Sequence, residues 1–115
     1  MDQSDWIPQF SKEIDRAEAA RKAGNEGMAR VCARRAVGIV IGEYLLGQEH
    51  ATLTPSVVDR LHQLIDSSYV TDQVKEVAGH FLQRVNPDFK LPVDADLITE
   101  ARWLAQELLK KPQQK

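Results

Sequence analysis

The chain has 115 residues, 43% of them hydrophobic and 28% charged. That length holds one domain and leaves no room for two separate cores, and the balance excludes both a disordered tail and a membrane bundle. Fifteen Lys and Arg against seventeen Asp and Glu give a formal charge of −2, which excludes a protein that coats nucleic acid along its whole surface. A single cysteine, Cys32, excludes an internal disulfide and reads as a small buried thiol on a helix. The first residues, Met-Asp-Gln-Ser-Asp-Trp, lack the basic and apolar blocks of a signal peptide, so a cytoplasmic location is expected.

In chain order, residues 4–23 place Trp6, Ile7, Phe10, Ile14, Ala17 and Ala20 at three- and four-residue spacings, the period of one buried helix face. Gly24 and Asn25 close that helix, with Arg21 and Lys22 in its last turn, where the dipole favours cations. A second, longer helix over 26–47 carries Ala29, Ala33, Val37, Val40, Ile41 and Tyr44 on one side and Cys32, Ala36 and Ile39 on another. A helix apolar on two faces must be covered twice, so it is predicted to be both the central helix and a subunit contact. Arg35 falls among Cys32, Ala36 and Ile39, where an unpaired charge would be costly, and Glu43 of a second subunit is its expected partner. The candidate dimer interface is therefore Cys32, Arg35, Ala36, Ile39, Gly42 and Glu43. Gly38 and Gly42 weaken a helix interior, which close approach of another helix would compensate; simple tolerance in a buried helix is the other reading.

Thr54-Pro55 reads as the start of a third helix with Val57, Val58, Leu61, Leu64 and Ile65 inward. Thr71 caps a fourth with Val74, Val77, Ala78, Phe81, Leu82 and Val85 in period, stopped by Pro87. After an irregular crossing over 86–92, Asp94 caps a fifth whose stripe is Leu97, Ile98, Ala101, Leu104, Ala105, Leu108 and Leu109. Residues 110–115 are expected to fray. No segment alternates with period two, so the prediction is one all-α domain over 1–115, an up-and-down bundle of about five helices.

The helical pair with Ala17, Ala20, Gly24-Asn25, Ala29, Ala33, Ala36 and Tyr44-Leu45, then two helices, an Arg-x-x-Pro-Asp crossing at Arg84 to Asp88 and a closing helix, resembles the HEPN superfamily (higher eukaryotes and prokaryotes nucleotide-binding). The likeness runs from about Ser11 to Leu109, and no second copy of the first hairpin recurs near the ~34 residues of a tetratricopeptide array. The resemblance implies a bundle that dimerises along its long helices, as in RNA-cleaving toxins and in partners of small nucleotidyltransferases in toxin-antitoxin systems. Active members place a His four to six residues after an Arg. Here no His follows Arg84, Arg60-Leu61-His62 has another spacing, and no Arg stands four to six residues before His50, His62 or His80. The expectation is a non-catalytic interaction module, with no catalytic residues, docking a protein such as a nucleotidyltransferase-type partner.

The alternative is an RNA- or nucleotide-binding domain with weak or no RNase activity. From Lys12 to Arg35, seven basic residues face Glu13, Asp15, Glu18 and Glu26, a local excess of three that suits phosphates. The same run also suits an ordinary solvated face with i,i+4 pairs such as Glu26 with Arg30. Candidate nucleic-acid or partner contacts are Arg30, Arg34, Arg35, His80 and Arg84, the last two sharing one face of the fourth helix. The three histidines sit in separate elements without a Cys partner, and no Gly-rich phosphate loop, nucleophile turn or carboxylate pair is present, so no metal and no cofactor are expected.

Overall fold

A computed structural model describes residues 5–48, 54–83 and 96–109. Five helices follow in order: α1 Trp6–Lys22, α2 Glu26–Leu46, α3 Val57–Asp66, α4 Asp72–His80 and α5 Leu97–Leu109, with no strand among the described residues. The protein is all-α, a small bundle built around α2, which packs against α1, α5 and α3. The expected Asn86–Pro92 crossing, the Asp94 cap, Arg84, His50 and the 110–115 tail lie outside the described residues.

The α1–α2 hairpin forms because Gly24, at φ 80°, takes the left-handed turn and the Asn25 side chain accepts the Met28 backbone N–H at 3.0 Å. Across this hairpin Ala17, Ala29, Ala33 and Ala36 are fully buried, so small side chains let the two helices approach closely. Trp6 meets Phe10 edge to face at 5.8 Å, whereas Ile7, placed inward by the sequence pattern, is exposed at the helix start.

The third helix starts later than expected. Ser56 Oγ, rather than Thr54, caps it by accepting the Asp59 N–H, and Thr54 Oγ1 accepts the Ser56 N–H in the turn before. Thr71 caps α4 as predicted, through the Val74 N–H. The fourth helix ends at His80 instead of running on to Val85. Phe81, Leu82 and Gln83 donate to the carbonyls of Ala78, Gly79 and His80, a tightening from i−4 to i−3 bonds that ends the α-helix. The Phe81 ring is fully buried at this end, and its carbonyl accepts Arg34 Nε at 2.9 Å, so the tightened turn is held from both sides. Asp96 Oδ1 accepts the Ile98 and Thr99 N–H groups and caps α5.

Gly38 and Gly42 of α2 form a notch within the chain. A Cβ on Gly38 would stand 2.6 Å from Val57 Cγ2, and one on Gly42 would stand 2.6 Å from the Arg60 guanidinium. Arg60 lies across this notch, donating to the Gly38 carbonyl at 2.7 Å and the Thr54 carbonyl at 2.5 Å. The close approach expected of Gly38 and Gly42 is thus made by the start of α3.

Candidate functional site

Most of both apolar faces of α2 is covered within the chain, with Ile39 and Tyr44 half-buried. Ala29, Cys32, Ala33, Ala36, Val37, Val40 and Ile41 are buried, so Cys32 and Ala36 of the candidate dimer interface are closed off by the chain itself. The two apolar faces of α2 therefore do not require a second subunit, because α1, α3 and α5 supply the cover.

A third strip of α2 is only partly covered, with the Arg60 guanidinium of α3 lying over Gly42. Met28 is 44% exposed, Val31 40% and Leu46 64%, with Arg35 also exposed and Ile39, Gly42 and Glu43 half-buried. Residues 28, 31, 35, 39, 42 and 46 follow spacings of three and four, so they form one continuous stripe about 27 Å long at 1.5 Å per residue. Arg35 is its one charged member. The sequence reading placed Arg35 on a buried face, and the structure corrects this: the guanidinium faces water in the single protomer and carries no burial cost there.

Arg21 and Arg34 of the first hairpin are engaged within the bundle, whereas Lys12, Lys22 and Arg35 are exposed. Arg21 chelates Glu26 at 3.0 and 2.6 Å and reaches Asp96 at 3.0 Å, joining α1, α2 and the cap of α5. Glu26 pairs with Arg21, and the Arg30 charge also favours its ionised form. Arg102 pairs with Glu18 at 2.5 Å, Arg16 with Glu13 at 3.5 Å, and Arg34 is anchored on the Phe81 carbonyl. His80 Nδ1 lies 2.8 and 3.0 Å from the two carboxylate oxygens of Glu100, tying α4 to α5. Of the five candidate contacts, then, Arg34 and His80 brace helix ends, Arg30 lies half-buried on α2, Arg35 sits on the open stripe, and Arg84 lies outside the described residues. No group of three or more His, Cys, Asp or Glu that could hold a metal ion occurs among the described residues, and no described helix is long and apolar enough to cross a membrane.

The Arg21 hydrogen bond holds Glu26 below the usual carboxylate range. For Asp96 burial pushes upward, but hydrogen bonds from Arg21 and Thr99 outweigh it and the net direction is again downward. Carboxylates depressed in the folded state stabilise the fold above their unfolded pKa values, about 3.9 to 4.3, and that contribution is lost as pH falls through the folded values. The network is more than one-third exposed at each member, so screening limits each pair to about 0.2–1 kcal/mol. Arg21→Gln is expected to lower Tm near pH 7 and to show a shrinking difference from the native chain below pH 4. A thermal-melt series that shows a pH-independent difference would contradict this.

No family model matches the chain, and no curated protein or solved structure matches it.

Proposed function

We propose that the chain is a non-catalytic, HEPN-like interaction module that works as a homodimer, with the open stripe of α2 buried between two copies. The observation that carries this reading is the stripe: Met28, Val31 and Leu46 are exposed and Ile39 half-buried along one face of α2, the helix with the most buried residues in the bundle. A contiguous apolar strip on a rigid helix marks a contact surface, where scattered exposed apolar residues would not. The outward position of Met28, whose thioether adapts to irregular surfaces, suits the same role.

The RNA- or nucleotide-binding alternative draws less support. It needs cations turned outward; Lys12, Lys22 and Arg35 are exposed, but Arg34 and Arg21 are engaged by Phe81, Glu26 and Asp96. His80 is held by Glu100 through Nδ1, a bracing contact between α4 and α5. A nucleotidyltransferase-type protein is the further partner that the HEPN resemblance implies for such a dimer.

The double variant Ile39→Ser/Leu46→Ser tests the surface. It is expected to keep its helical circular dichroism and to weaken self-association in sedimentation velocity by at least about tenfold, since burying one such side chain contributes roughly 1.5–3 kcal/mol. Unchanged self-association would overturn the reading.

A further inference from the structure

Arg35 on the stripe and Glu43 beside it form a charge pattern that complements itself only in one orientation. Arg35, Ile39 and Glu43 succeed one another at four-residue steps, so they form a single i±4n ridge on the α2 surface. The two charges lie about 12 Å apart along the axis, too far to pair within the helix. Neither makes an ion pair or side-chain hydrogen bond with another described residue. One exposed cation and one half-buried anion thus stand at equal distances on either side of an apolar residue.

We propose that the second copy docks with its α2 running in the opposite direction, about a two-fold axis close to Ile39, so that Arg35 of each protomer meets the partner's Glu43. This rests on the reading of the stripe as a contact between copies. In a parallel pairing residues at equal height face each other, so Arg35 would oppose the partner's Arg35 and Glu43 the partner's Glu43. Reversing one helix converts both like-charge contacts into opposite-charge contacts, and the two-fold makes the favourable contact twice. The geometry suits ordinary helix packing. When i±4n ridges of both helices interdigitate, the axes cross at about 50°, and this inclination brings the two ends of the Arg35–Ile39–Glu43 ridge over their counterparts. Met28, Val31 and Leu46 supply the apolar area around the crossing. Arg35 and Glu43 then act as specificity-determining residues, because such pairs fix register and exclude wrong orientations more than they add affinity.

The experiment compares the native chain with Arg35→Glu, Glu43→Arg and the combined exchange Arg35→Glu/Glu43→Arg by sedimentation velocity at low salt, with circular dichroism confirming equal helix content. Each single reversal sets like charges together at both symmetry-related contacts and is expected to weaken the dimer about tenfold or more. The combined exchange restores opposite charges and is expected to return the dissociation constant to within about threefold of the native value. If the native chain dimerises and both single reversals leave it unchanged, this orientation is overturned while the contact surface stands. If the native chain is monomeric throughout, the surface reading fails as well. Restoration by the combined exchange supports the orientation, whereas two single losses that merely accumulate overturn it.

Discussion

Phe81→Ala is expected to remove about 3–5 kcal/mol of stability, the usual range for deleting a fully buried phenylalanine. A domain of this size has about 5–15 kcal/mol in total, so the variant should sit close to the unfolding threshold. Phe81 is among the largest fully buried side chains, and it stands where α4 tightens and ends. Its removal leaves a cavity beside a turn whose carbonyl anchors Arg34 of α2, so local collapse would disturb a second helix as well. Urea unfolding should show a lower midpoint with a similar slope. A loss below about 1 kcal/mol would mean that the site collapses freely and that the end of α4 is not part of the core.

Gly38→Val carries the next largest expected effect, a loss of about 1–3 kcal/mol from overpacking. The new Cβ would meet Val57 Cγ2 at 2.6 Å and its Cβ and Cγ1 at 3.4 Å. Val57 is β-branched, with one strongly preferred χ1 rotamer in a helix, so it cannot swing aside as a long side chain would. Relief requires α3 to move, and that strains the Arg60 bond to the Gly38 carbonyl. The gain in helix propensity over glycine is below about 1 kcal/mol and does not offset the clash. The cycle with Val57→Ala checks the mechanism: the double variant should recover part of the loss, and strict additivity would show that the contact is not the cause. At Gly42 the neighbour is the flexible end of Arg60, so the same substitution displaces a guanidinium instead of a helix.

The bundle itself was legible because its helices are strongly periodic. Leu97, Ile98, Ala101, Leu104 and Ala105 are all buried as their spacing requires, and Thr71 caps the helix that it precedes. Helix ends were harder, since they depend on contacts distant in sequence. The tightening at Phe81 involves a side chain of α2, 47 residues earlier. Nothing in the local sequence distinguishes Ser56 from Thr54 as the cap of α3, because both are hydroxyls in the same turn. Arg60 was passed over for a similar reason: its role comes from two carbonyls and a glycine notch that only folding brings together.

The stripe on α2 shows a subtler case. The sequence pattern singles out Arg35, Ile39 and Gly42 but not Met28, Val31 and Leu46, although all six share spacings of three and four. Alanines and valines buried by α1, α3 and α5 cannot be told from interface residues by periodicity alone. Folding separates them, leaving the larger and more flexible Met28 and Leu46 outside. Arg35 moved from an apparent buried charge to a solvated one for the same reason: a guanidinium at the edge of an apolar arc turns to water when no element covers that edge.

The most direct test of the proposed homodimeric contact is sedimentation equilibrium of the unmodified chain over a range of micromolar concentrations. The weight-average mass is predicted to rise from the 13.0 kDa of one chain toward twice that value and to level there, as a closed two-fold pair requires. A mass that stays at 13.0 kDa across the whole range would contradict the account.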